Sequence, residues 1–374
     1  MHNIKQKILK NIISFALLVF VSSCQSTTDQ NLIKKIPNNK FVEIALILPI
    51  SGPDADLGKE YAKMIKLGLS NGASSKIRIV TYDSASQETL AESLEKILEQ
   101  DIDIIIGPIY SEPTRIAAEK LKSKKPIIIS LSNNPVLAEP NIFVSGHAPM
   151  KQLLQLTNHF LINDYQNYII LMPQGRHSSM VSAILKDMIS KNNANLASLE
   201  LYDNTNTDSI SESLKKVSNI VDELNEDDNN LKQTVVIMAD DPILLKSMLK
   251  AAKDLNLDTK AVLAGDNRID IAENTYVTFT SSIKFITSDF SSKLKAQDIK
   301  NSNFMHSLAY DAGIMIGTYI GPEFKREDFI NKMNNQTFEG VSGIIKFTDS
   351  IALRKYDIIH KKNGVFKSGA PSGK

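Results

Sequence analysis

Four short stretches carry the side chains best suited to chemistry: Ser51-Gly52, Asp83-Ser84, Ile109-Tyr110-Ser111 and Ser130 to Asn133. Each follows an apolar run and leads toward a helical pattern, so each stands at the carboxyl end of a strand, where open α/β sheets take their ligands. Together they present hydroxyls, amides and backbone N–H groups at helix N-termini, a combination suited to a carboxylate or another small anion. Ser51, Asp83, Ser111, Ser132 and Asn133 are therefore candidate binding residues, and Asp266, in Gly265-Asp266-Asn267, is a sixth from further along the chain. Capping a helix is the commoner duty of any single Ser, and forming a turn that of an isolated Asp. The case for a site rests on convergence at one sheet edge.

No catalytic set accompanies these residues. G-x-S-x-G, P-loop and H-E-x-x-H patterns are absent, and Gly265-Asp266-Asn267 lacks the glycine spacing of a dinucleotide site. His2, His147, His159, His177, His306 and His360 are scattered without metal-ligand spacing. The expectation is a protein that is not an enzyme and needs no metal or cofactor. With 43 Lys+Arg against 42 Asp+Glu, the charge balance gives no general case for nucleic acid or anionic lipid as partner.

The elements that must position the candidates follow a regular rhythm. The organising stretch is residues 41–58, FVEIALILPISGPDADLG. Its continuous apolar run predicts a strand buried on both faces of a parallel sheet, followed by a turn and a helix. Strands are predicted at residues 77–82, 102–106, 126–130 and 142–144, with helices at 89–100 and 113–122 between them. A second α/β rhythm begins with a helix at 151–162 and places strands at 168–172, 196–202, 234–239 and 261–264. Residues 276–290 read as strand-like, 304–320 as a long apolar helix and 329–334 as a short one. Strands follow at 344–347 and 356–360, the last closed by an Asn363-Gly364 hairpin signal. The fold class is α/β, with two doubly wound parallel-sheet lobes and several crossovers between them.

The first residues carry an address. Lys5, Lys7 and Lys10 precede an apolar run at residues 12–21, too short to span a bilayer and suited to a signal-peptide core. Val21-Ser22-Ser23-Cys24, holding the chain's single cysteine, resembles the lipobox of bacterial lipoproteins. That resemblance implies residues 1–23 as a signal peptide, acylation at Cys24 as membrane anchor, and a polar tether over 24–40. Gln25 after the cysteine implies the periplasmic face of the outer membrane. One cysteine permits no internal disulfide.

A family likeness rests on an ordered set of pieces. Ala45 to Gly58, Asp83, Ile105 to Ser111 and Pro126 to Pro135 resemble the sheet-edge turns of type I periplasmic binding proteins, the group of the Leu/Ile/Val-binding proteins. Ser132-Asn133-Asn134 with Phe143 to Gly146, Leu308 to Ala312, Phe338 to Phe347 and Arg354-Lys355-Tyr356 are similar to the penicillin-binding-protein activator lipoproteins of Gram-negative bacteria. The likeness implies discontinuous lobes: residues 41–146 plus about 275–334, and residues 147–274 plus about 335–374. In amino-acid-binding relatives the turns after the third and fourth strands grip the ligand carboxylate, which implies Ser111, Ser132 and Asn133, with Asp266 facing an ammonium group. Where those relatives place Tyr-Gly, this chain has Pro173-Gln174-Gly175-Arg176-His177, and Arg176 could meet an anionic group or stand as a solvated charge. The resemblance implies a lipid-anchored, non-catalytic regulator of peptidoglycan synthesis whose partner is a penicillin-binding protein. The alternative is a receptor of an ABC importer for an amino-acid-like solute.

Overall fold

The computed structural model describes residues 41–74, 76–226, 234–240, 242–265, 277–282, 284–285, 289–299, 304–362 and 365–368. Within it, Phe41–Lys374 forms one compact unit. The chain opens with β1 (Val42–Leu48), α1 (Ala55–Gly72), β2 (Ile77–Asp83), α2 (Gln87–Leu98), β3 (Ile104–Ile106), α3 (Ser111–Lys120), β4 (Ile127–Ser130) and β5 (Ile142–Val144). The two-residue period of β1 sorts its side chains between two cores. Ile44, Leu46 and Leu48 pack with Tyr61, Ile65 and Leu69 of α1. Ala45 and Ile47 pack with Leu90, Leu94 and Ile97 of α2 and Ala117 of α3. A strand covered on both faces must be apolar over its buried length, as β1 is from Ile44 to Leu48.

After β5 the chain crosses to the second lobe: α4 (Pro149–Leu161), β6 (Asn167–Pro173), α5 (Arg176–Lys191), β7 (Asn195–Tyr202), α6 (Thr207–Glu226), β8 (Thr234–Met238), α7 (Pro242–Asp254), α8 (Leu257–Lys260), β9 (Val262–Gly265) and β10 (Val277–Ser281). Tyr168, Ile170 and Met172 of β6 face Leu156, Phe160, Val181 and Leu185. Ile169 and Leu171 face the opposite core with Leu214, Val217 and Leu245. The chain then returns to the first lobe as α9 (Phe290–Ala296), α10 (Phe304–Ile320), α11 (Arg326–Asn335), β11 (Thr337–Gly340), β12 (Gly343–Thr348) and β13 (Ile351–Lys355). It ends in the second lobe with β14 (Asp357–Lys362) and β15 (Val365–Ser368).

The sheet orders are β11-β12-β13-β5-β4-β3-β1-β2 and β15-β14-β10-β9-β8-β6-β7. This corrects the expected lobe boundaries at two places. Val277–Ser281 belongs to the second sheet, because β10 runs parallel to β9 with Val277 opposite Leu263. Thr337–Lys355 belongs to the first sheet, because β13 pairs with β5 at Ile351 and Val144. Alternation on β12 buries Ile345 and Phe347 against the first-lobe core, which holds the hairpin there. Among the described residues of the strand-like stretch 276–290, strand covers Val277–Ser281, and the final residue starts α9. Asn363-Gly364 lies outside the described residues.

The long apolar helix α10 is buried almost throughout, because α1, the first sheet and the β11–β12 hairpin all cover it. Its seam with α1 is set by paired glycines. A Cβ on Gly68 would stand 2.2 Å from the Tyr310 carbonyl oxygen, and one on Gly313 would stand 2.2 Å from that of Ile65. The two backbones are too close for any side chain at these points.

Among the described elements, three crossovers join the lobes, after β5, after β10 and after β13. Arg354 of β13 donates to the carbonyl oxygens of Ser145 at 2.7 Å and Gly146 at 3.0 Å, tying the first crossover to the third. Gln155 of α4 donates to the Tyr356 carbonyl oxygen at 2.8 Å.

Candidate functional site

The first sheet brings the turns after β1, β2, β3 and β4 to one edge, and the predicted residues meet there in pairs. Ser51 Oγ donates to Asp83 Oδ2 at 2.5 Å. The backbone N–H groups of Ile50 and Ala85 donate to Asp83 Oδ1 at 3.0 and 3.1 Å. Burial by itself would raise the Asp83 pKa, but these hydrogen bonds, that from Ser51 first, outweigh it and hold the carboxyl below its ordinary value. Asp83 thus fastens the first turn to the second.

Ser111 and Ser132 share a hydrogen bond of 2.8 Å between their hydroxyls. Thr114 and Ser130 form a second hydroxyl pair nearby at 2.9 Å. Ser132 is buried, whereas Asn133 beside it is exposed. The next residue, Asn134, caps the short 3₁₀ turn Pro135–Leu137 by accepting from Val136 N–H at 3.2 Å. The N-caps of α1, α2 and α3 are Asp54, Ser86 and Tyr110, so Ser51 and Ser111 cap none of these three helices. Ser86 and Thr89 form a reciprocal capping box on α2.

Between the turns after β1, β2 and β3 lies a cavity of about 380 Å³. It occupies the point where the connections leave for opposite faces of the sheet: α1 packs on one face, α2 and α3 on the other. Its polar lining includes Ser51, Asp54, Ser84, Ser86, Gln87, Tyr110 and Glu112, and its apolar lining Pro49, Pro53, Leu90, Pro113 and Ile116. Tyr110 Oη donates to Asp54 Oδ2 at 2.7 Å, and the tyrosine remains 43% exposed. Partial burial, then the hydrogen bond to Asp54 and its charge, push the Tyr110 pKa up to about 12. Glu112 is held by Arg115, whose Nη2 donates to Oε1 at 2.6 Å and Nε to Oε2 at 3.0 Å. This hydrogen bonding keeps the Glu112 carboxyl below its usual range. Asp54 and Glu112 were not singled out in the sequence. Their signal was weak: an Asp three residues after Ser51 and a Glu directly after Ser111.

At the corresponding edge of the second sheet, Gln174 N–H donates to the Tyr202 carbonyl oxygen at 2.7 Å. Arg176 begins α5 and is exposed. Tyr202 Oη donates to Asp240 Oδ2 at 2.6 Å, both residues buried at the ends of β7 and β8. The sequence around Asp240 carries little signal of a site, since the residue follows an apolar run with no flanking glycine or hydroxyl. Asp266 and Cys24 lie outside the described residues.

A second polar centre joins pieces on which the family likeness rests. Asp311 on α10 is buried and accepts from Val341 N–H at 2.9 Å, Ser342 N–H at 2.6 Å and Ser342 Oγ at 2.5 Å. Burial raises its pKa despite these bonds. A Cβ on Gly340 would stand 2.2 Å from Asp311 Oδ2. Leu308 to Ala312 and Phe338 to Phe347 are therefore one structural fastening.

Among the described residues no group of three His, Cys, Asp or Glu could hold a metal ion. Among the same residues no helix is long and apolar enough to cross a membrane.

Residues 42–359 match the family described as Periplasmic binding protein, and the chain belongs to that family. It is 38% identical over 369 residues, covering 98% of both chains, to the uncharacterized protein RP748 of Rickettsia prowazekii. A structure assigned to a branched-chain amino acid ABC transporter of Rhodospirillum rubrum is similar with a TM-score of 0.71 and 13% identity, over 88% of this chain and 100% of that one. The leucine binding protein LivK of Thermotoga maritima gives a TM-score of 0.59 and 17% identity, over 88% and 98%. LpoA of Haemophilus influenzae gives 0.61 and 15% identity, over 89% of this chain and 59% of LpoA. The bilobed α/β fold is that of the type I periplasmic binding proteins.

Proposed function

We propose that this protein is a non-catalytic regulator of peptidoglycan synthesis, anchored by acylated Cys24 at the periplasmic face of the outer membrane, with a penicillin-binding protein as partner. The observation that carries the reading is the state of the predicted cleft residues. Ser51 donates to Asp83, and Ser111 and Ser132 share one hydrogen bond, so two of these three hydroxyl hydrogens are engaged within the protein rather than offered to a solute carboxylate. The ordered likeness to the activator lipoproteins, which includes both partners of the Asp311 fastening, and the lipobox-like Val21 to Cys24 support the same reading. The test is to titrate the purified full chain against detergent-solubilised envelope penicillin-binding proteins and to follow glycan polymerisation. Saturable binding and a faster rate are expected, both unchanged in Ser111→Ala. Absence of binding to every such synthase overturns the reading.

A second reading, a receptor for an imported amino-acid-like solute, draws support from exposed Asn133 and the open cavity beside Ser51. It requires that Ser111→Ala and Asn133→Ala each weaken an amino acid by about 1–3 kcal/mol. Isothermal titration with the standard amino acids decides it.

A further inference from the structure

We propose that the cavity between the turns after β1, β2 and β3 is a binding site for a ligand bearing a protonated amine on an apolar body, with Asp54 and the Tyr110 ring as its principal contacts. At about 380 Å³ the cavity falls within the range of small-molecule sites, roughly 300–1,000 Å³. Sheet-edge turns backed by helix N-termini would ordinarily select an anion. Here the helix ends already have acidic residues in their first turns: Asp56 in α1, Glu88 in α2 and Glu112 in α3. Pro113, the third residue of α3, supplies no N–H donor there. No lysine or arginine is among the lining residues.

The two lining carboxylates differ in what they have left to offer. Glu112 is held by the Arg115 guanidinium through two hydrogen bonds. Asp54 receives the Tyr110 hydroxyl at one oxygen and is exposed, so it keeps accepting capacity toward the cavity. The same hydrogen bond holds the half-exposed Tyr110 ring beside that carboxylate. A carboxylate held at the hydroxyl edge of an exposed aromatic ring offers an ammonium group an ion-pair partner with ring surface close by. Leu90, Pro53, Pro113 and Ile116 supply apolar surface for the rest of the molecule. The site is independent of whether a synthase is the partner, and small-molecule titration reads it separately from protein binding.

The test uses three probes with one phenyl body: phenethylamine, 2-phenylethanol and phenylacetate, titrated calorimetrically into the full chain in detergent. Saturable binding of phenethylamine is expected, about tenfold or more tighter than phenylacetate. Asp54→Asn is expected to weaken the amine about tenfold and leave the alcohol within about twofold. Tyr110→Phe, which keeps the ring, is expected to bind within about threefold of wild type, and Tyr110→Ala to lose most of the affinity. Equal or tighter binding of phenylacetate overturns the proposal, as does indifference of the amine to Asp54→Asn or the failure of all three probes to bind. Unchanged thermal unfolding of Asp54→Asn would show that a lost affinity is not lost folding.

Discussion

Asp311 and Asp54 show two uses of a carboxylate in one lobe. Asp311 is 1% exposed and accepts three hydrogen bonds that fix the β11–β12 hairpin to α10. Asp54 is exposed at the rim of a cavity and receives one hydroxyl. The first is saturated and closed in, so it holds architecture. The second keeps accepting capacity toward solvent, so it can meet a ligand. Ser111 and Ser132 fall on Asp311's side of this division: they stand where a ligand would be gripped, yet they bond to one another.

The contrast can be broken most forcefully at the seam under Asp311. Gly313→Leu places a side chain against the Ile65 carbonyl oxygen, where even a Cβ would lie at 2.2 Å. Urea unfolding is expected to show a loss of roughly 3 kcal/mol or more. Asp311→Ala leaves the N–H groups of Val341 and Ser342 without their acceptor in a buried place and is expected to cost about 3 kcal/mol. A loss below about 1 kcal/mol would mean the fastening is not structural. A double-mutant cycle on Ser111→Ala and Ser132→Ala should give a coupling of about 1 kcal/mol in stability. No coupling would mean the two hydroxyls are free for a ligand after all.

Acid titration sharpens the comparison further. The Asp311 pKa is raised by burial, so the folded chain holds that proton where the unfolded chain has released it. Its contribution to stability is full at low pH and is lost as pH rises through the folded value. Asp83 lies below its ordinary 3.8, so its contribution is present above that value and is lost as pH falls through the folded one. Urea midpoints across this acid range should therefore show the deficit of Asp83→Asn shrinking on acidification and that of Asp311→Asn shrinking as pH rises. The smallest expected effect is the most telling for the cavity: Asp54→Asn should change stability by no more than about 0.5 kcal/mol, because the group is exposed. A large loss there would place Asp54 with Asp311 as a structural residue.

What the sequence by itself determined was local in origin. Continuous apolar runs marked β1, β4, β6 and β8 as buried strands, helical periodicity marked α2, and a long apolar run marked α10, because each pattern reports burial within a few residues of chain. The sheet-edge positions of Ser51, Asp83, Ser111 and Ser132 followed from the same alternation. Tertiary structure alone decided what those residues do. The Ser51–Asp83 bond spans 32 positions of chain, Ser111–Ser132 spans 21, and Ser342–Asp311 spans 31. It also decided that Val277–Ser281 joins the second sheet and Thr337–Lys355 the first, since strand pairing depends on which edges meet across the fold. The cavity at Asp54 and Tyr110 belongs to the same class, being formed by three turns far apart in sequence. A side chain's type and spacing state what it can bond. Only packing states whether another residue has already taken that bond.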